Sequence, residues 1–149
     1  MTNAPEPHEL LLALRKLRTA VATVDRDVAA VAKLRDSDLT VLDVLHREGR
    51  QTPTDLARRT RTHLATMTGV LARLEKEGWI ERRSDSRDRR SIGVHATSVE
   101  RFRALYAEPN ARLAALFAEW PADQASVFLA SVEQVVRALD EEAGGPARR

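Results

Sequence analysis

Between Thr52 and Thr97 the hydrophobic period of the chain falls from about 3.6 residues to two, and that change limits what the sequence can fold into. Thr52-Pro53-Thr54-Asp55 predicts a helix start. A threonine hydroxyl caps free amides, proline supplies its fixed φ at the first helical position, and Asp55 completes a capping box. This helix buries only Leu56 and Ala57 and ends near Thr60. A second helix follows with Thr62 as its expected cap. Its Leu64, Met67, Val70, Leu71 and Leu74 recur in three- and four-residue steps along one buried stripe, and Gly78 stops it. A short helix, a tight turn and a longer amphipathic helix make the helix-turn-helix pattern, whose second helix lies in the DNA major groove.

After Gly78, Trp79-Ile80-Glu81-Arg82-Arg83 and Ser91-Ile92-Gly93-Val94-His95-Ala96 read as paired strands around the tip Ser84 to Arg90. The tip carries Arg87, Arg89 and Arg90 with Asp85 and Asp88. A guanidinium is planar, permanently charged and weakly hydrated, which suits the narrow, electronegative minor groove. The expected fold class is therefore mostly α with a small β-hairpin wing.

Leu74-Glu75-Lys76-Glu77-Gly78-Trp79-Ile80-Glu81-Arg82, then Asp85-Ser86-Arg87-Asp88-Arg89-Arg90-Ser91, closing on Thr97, closely resembles the MarR family of winged-helix transcriptional regulators. The resemblance implies that Asp88 holds the wing while Arg90 enters the minor groove. It also implies an effector, commonly a small aromatic or phenolic anion, seated between dimer arms and the DNA-binding lobe. Two departures stand out. Gly69 falls where many members have a polar or basic recognition-helix residue, and Ala96-Thr97-Ser98-Val99-Glu100 replaces the usual Leu-Thr-x-x-Gly.

The net charge of +2 hides an asymmetry. Residues 47–97 hold 12 Lys and Arg against 7 Asp and Glu, whereas 1–46 hold 6 against 7 and 98–149 hold 6 against 8. Positive charge concentrated on the motif is the footprint of a polyanion partner, here double-stranded DNA. Cysteine is absent, which excludes disulfides, thiolate metal sites and a thiol redox switch. No run approaches the roughly twenty apolar residues of a membrane span, and Met1 to Glu9 lacks the features of a signal peptide. A cytoplasmic protein with no membrane partner is expected.

On either side of the motif the sequence reads as helix. Leu10, Leu14, Leu17, Val21, Val24, Val28 and Val31 form a heptad seam that calls for a partner helix. Asp36-Ser37-Asp38 offers caps for a helix from Leu39 to Glu48, with Arg47 and Arg50 near phosphate at its end. Thr97-Ser98-Val99-Glu100 reads as another capping box. Pro109 predicts a kink or break at Glu108 to Asn110, and Trp120-Pro121 a second boundary. The last helix repeats Phe128, Val132, Val135 and Leu139 at heptad spacing, before a basic tail. Three regions are expected: an N-terminal dimerisation helix (1–35), a winged helix-turn-helix (36–97), and C-terminal dimerisation helices with a tail (98–149). A two-fold homodimer would set two recognition helices roughly 34 to 36 Å apart, one DNA turn, and so require a palindromic operator.

The candidate DNA-binding residues are His63, Thr66, Thr68, Gly69 and Arg73 on the second helix and Arg87, Asp88, Arg89 and Arg90 on the wing. His63 and Thr66 are best placed for base edges. Effector candidates are Leu14, Leu17, His46, Phe102 and Tyr106, with Trp120 beside them. Tyr106 and His46 add a hydrogen-bonding tip to an apolar body. Phosphate loops, HExxH and nucleophile elbows are missing, and His8, His46, His63 and His95 lack helical ligand spacing, so neither catalysis, cofactor nor metal is expected. The sequence predicts a repressor that binds its operator as a homodimer and is released by a small ligand; the alternative is a winged-helix interaction module or anti-repressor without its own operator.

Overall fold

The computed structural model describes residues 4–84 and 91–141. Two compact units divide between Ala107 and Glu108. The first contains α1 (Pro7–Ala32), α2 (Asp36–Glu48), α3 (Pro53–Arg59), α4 (Leu64–Lys76), β1 (Ile80–Ser84), β2 (Ile92–Ala96) and α5 (Val99–Leu105). α6 (Ala107–Ala118), from its second residue on, and α7 (Ala122–Glu141) form the second. The mostly helical class with one hairpin is as expected.

The core of the first unit is built where helix stripes and strand faces meet. α2 supplies Leu39, Val41, Leu42, Val44 and Leu45; α3 supplies Leu56; α4 supplies Met67, Val70, Leu71 and Leu74. Trp79, Ile80 and Val94 close it from the wing side, and Val28, Ala29 and Phe102 from α1 and α5. Leu42, Leu56, Leu74 and Val94 have no solvent exposure. The amino-terminal two-thirds of α1 adds almost nothing: Leu10, Leu14, Leu17 and Val21 remain exposed.

β1 and β2 pair antiparallel from Ile80↔Ala96 to Ser84↔Ile92. Gln51 adds a single bridge on the far side of β2, exchanging both backbone bonds with Val94 at 2.8 and 3.2 Å. The segment leaving α2 is thereby stitched to the wing. In the second unit, Trp120 packs edge to face with Phe117 and Phe128 at 5.0 and 5.1 Å between centroids, and those two rings lie tilted to each other at 5.8 Å.

Several expected boundaries move, each for a local reason. α2 begins at Asp36 rather than Leu39, because the Asp38 carboxylate accepts from the Arg35 amide at 2.9 Å and so caps a turn earlier. α4 is capped by the backbone of His63, not by Thr62, whose hydroxyl is engaged with Thr60 instead. Leu64, placed on the buried stripe by its spacing, is 52% exposed in the first turn. The Thr97-to-Glu100 capping box does not form. Thr97 and Ser98 both send their hydroxyls to the Gly78 carbonyl, at 2.9 and 2.8 Å. The break expected at Glu108 to Asn110 falls at Tyr106, between α5 and α6. Pro109 then occupies the third position of α6, where an amide has no intrahelical partner to lose.

Candidate nucleic-acid interface

α3 starts as expected. The Thr52 hydroxyl accepts from the Asp55 amide at 3.1 Å and donates to the Asp55 carboxylate at 2.8 Å. That hydrogen bond and the neighbouring Arg58 keep the Asp55 carboxyl below its usual range against the opposing effect of desolvation. The turn after α3 reverses through Arg61 at φ +52°, with Thr62 N–H bonded to Ala57 O and Arg61 N–H to Arg58 O. This is a Schellman close with arginine where glycine is usual.

That turn fixes the start of α4, which is anchored from below by Met67, Val70, Leu71 and Leu74. His63, the N-cap residue, and Thr66, Thr68 and Gly69 in the first half of the helix are exposed. Thr68 donates its hydroxyl to Leu64 O at 3.0 Å, leaving its oxygen available to accept. A side chain at Gly69 would meet nothing within 4 Å, so the surface there is open. Arg73 lies differently: its Nη2 is 2.7 Å from Oδ1 of Asp38, and the Asp38 side chain is only 4% exposed. The wing-tip candidates Arg87, Asp88, Arg89 and Arg90 lie outside the described residues.

Five further basic residues of the 47–97 segment are paired with carboxylates. Arg47 binds Asp43, Arg58 binds Asp55, Arg59 binds Glu48 and Arg82 lies 3.3 Å from Glu75. Arg83 pairs with Glu81. Exposed pairs of this kind contribute little, so a phosphate can displace the carboxylate at small cost. Arg50 lies flat against β2 above Gly93 and reaches Ser91 Oγ at 3.3 Å.

The effector candidates separate into two groups. His46, Phe102 and Tyr106 come together: His46 stacks on Phe102 at 4.1 Å, and Tyr106 follows at 5.4 Å. His46 Nδ1 lies 2.7 Å from the Leu42 carbonyl, which can only accept, so Nδ1 carries the proton and buried Nε2 has no hydrogen-bond partner among the described residues. Tyr106 donates to Asp25 at 3.0 Å. Burial first, then that bond and the charges of Asp25 and Asp43, push the phenol pKa well above its ordinary value. Asp25 also lines a cleft of about 580 Å³ between α1 and α2, with Arg18, Thr19, Ala22, Arg26, Asp36, Leu39 and Thr40. Leu14 and Leu17 stand on the exposed face of α1 and do not line it, and Trp120 belongs to the second unit.

Sequence reasoning missed the residues that hold the helix and wing in place. Arg101 lies 3.7 Å over the Trp79 ring and donates to the Glu77 carbonyl at 3.3 Å, while Thr97 and Ser98 share Gly78. The end of α4 is thus tied to the start of α5. Only a tandem of hydroxyls directly after a strand, Thr97 and Ser98, hints at this.

Residues 34–92, which include α2, the helix-turn-helix and most of the hairpin, match the sequence model of the MarR family. Over that segment the chain is similar to the MarR family of transcriptional regulators. Similar proteins of Bacillus subtilis include the uncharacterised HTH-type regulator YfiV, 29% identical over 72% of this chain and 69% of its own length. The HTH-type transcriptional repressor YetL is 30% identical over 60% of this chain and 55% of its own. Among solved structures, NadR in complex with 4-hydroxyphenylacetate aligns over 97% of this chain and 99% of its own, with TM-score 0.65 and 23% identity. At that identity the match speaks for the MarR fold. Among the described residues no helix is long and apolar enough to cross a membrane, and no group of three metal-ligating side chains occurs.

Proposed function

We propose that this protein is a MarR-family repressor that binds a palindromic operator as a homodimer and lets go when a small aromatic acid binds. Residues 36–97 serve as the DNA-binding domain, with 1–35 and 98–149 as dimerisation segments. The observation that carries the reading is the outward side of α4. His63, Thr66, Thr68 and Gly69 are exposed on a helix whose opposite side is locked into the core, within a segment holding 12 basic against 7 acidic residues. Phosphate contacts from the basic surround give affinity, α4 reads base edges in the major groove, and Arg87, Arg89 and Arg90 clamp the flanking minor groove, with Asp88 orienting an arginine.

Exposed Leu10, Leu14, Leu17 and Val21 on α1 support pairing with a second copy, since so continuous an apolar stripe is costly in water. The cleft between α1 and α2 supports the effector: Arg18 and Arg26 suit a carboxylate, and Ala22 and Leu39 a ring. Repression is the activity named for YetL, and an aromatic acid is the compound bound to NadR. Selection of bound duplexes from a random pool tests the proposal. A palindrome should be enriched, and 4-hydroxyphenylacetate or a related phenolic acid should release it. Failure to enrich any sequence would remove operator reading and leave the interaction module.

A further inference from the structure

Asp38 is the one charged side chain buried in the core of the described residues. Its two oxygens do separate jobs. Oδ2 accepts from the Arg35 amide at 2.9 Å, which fixes the first turn of α2; Oδ1 accepts from Arg73 Nη2 at 2.7 Å. Arg73 is one turn from the end of α4, and its Nε is also buried. The guanidinium therefore reaches back to α2, 35 residues earlier in the sequence, although Arg73 follows Thr66 by two turns on the same side of α4. The Asp38 carboxylate is desolvated while the Arg73 side chain stays 32% exposed, so the pair holds its geometry because the buried carboxylate without its arginine is heavily penalised.

We propose that Arg73 is a positioning residue for DNA recognition: with Asp38 it forms a clamp that sets the pitch of α4 relative to α2, and it makes no contact with phosphate or base. The inference rests on α4 being the DNA-reading helix. It separates two roles that one arginine on a recognition helix could have, and they predict different chemistry. A phosphate-bound arginine releases a counterion, so its loss lowers the salt slope of binding by about 0.9. An arginine facing the core changes affinity without changing that slope. Its buried partner, which no DNA could reach, must then matter as much.

The test uses the full chain and the best duplex recovered from a random pool. Binding is measured from 50 to 200 mM salt for wild type, Arg73→Gln, Asp38→Asn and the double variant. The clamp predicts that each single variant binds roughly tenfold or more weakly, with the wild-type salt slope. It also predicts that the double variant is no weaker than the worse single, since both remove one interaction. A slope reduced by about one in Arg73→Gln, with Asp38→Asn binding as wild type, would overturn the clamp and place Arg73 on phosphate. Additive losses in the double variant would overturn it too. Far-UV circular dichroism checks folding at the assay temperature. Should a single variant be unfolded, Arg73→Lys is read in its place: it keeps the charge but not the planar fork, so a clamp loses affinity and a simple phosphate contact keeps it. A wild-type chain that binds no duplex would count against α4 as a DNA-reading helix, which is a different failure.

Discussion

Gly93 offers a perturbation whose size follows from the geometry. A methyl group added there would run into the Arg50 guanidinium, closest to Nε, with Cζ at 2.8 Å and Nη2 at 3.0 Å. The obstruction is the end of a flexible side chain and not backbone, so Gly93→Ala should expel Arg50 and leave the strand in place. Among the contacts then lost is the 3.3 Å bond to Ser91 Oγ. Polar contacts of this kind contribute about 1 kcal/mol each, and replacing glycine by alanine at an ordinary backbone angle returns about 0.4 to 1 kcal/mol through the unfolded chain. The net loss in stability should therefore stay below about 1.5 kcal/mol, measured as a shift in the urea midpoint at unchanged slope. Arg50→Ala should cost a similar amount, and the double variant no more than Arg50→Ala, because the side chain that clashes is gone. A loss of 3 kcal/mol or more in Gly93→Ala, or full additivity, would show that Arg50 is not what fills the space and would refute the reasoning.

Three further outcomes are expected. Phe102→Ala removes the ring sandwiched between His46 and Tyr106 and should destabilise the domain by about 3 to 5 kcal/mol, read from chemical denaturation. Thr52→Ala removes the α3 cap and should cost about 0.5 to 2 kcal/mol in the same assay. Tyr106 is the single tyrosine of the chain, so its ionisation can be followed directly by ultraviolet absorbance. Its folded pKa is raised, so the neutral phenol is the form that folding favours. The associated stability is fully present below pH of about 10, the unfolded value, and is lost as pH climbs beyond it. A titration midpoint near 10 in the folded protein would contradict the bond to Asp25.

What could be read from the sequence was local and periodic. The α4 stripe of Met67, Val70, Leu71 and Leu74, the Thr52 cap and the switch to strand period after Gly78 are each written within a few residues, and each is found in the structure. The failures were choices among competing partners. Thr97 and Ser98 had amides of α5 within reach but bond Gly78 O instead, about twenty residues earlier in the chain. Leu64 keeps the right spacing yet lies in the first turn, beyond the edge of the core. Pro109 reads as a breaker from sequence, although at the third position of a helix it breaks nothing. Arg73 shows the limit most clearly. From spacing alone it is a basic residue on a DNA-reading helix, and only the fold reveals Asp38 beneath it.

The most direct test of the account is amide chemical-shift mapping of the labelled protein as its selected duplex is added. The outward residues of α4, His63, Thr66, Thr68 and Gly69, should shift or broaden first, together with the wing strands, while the exposed stripe of α1 from Leu10 to Val21 stays as it was. Perturbation confined to α1 or α7, with α4 unmoved, would contradict the claim that this helix reads DNA.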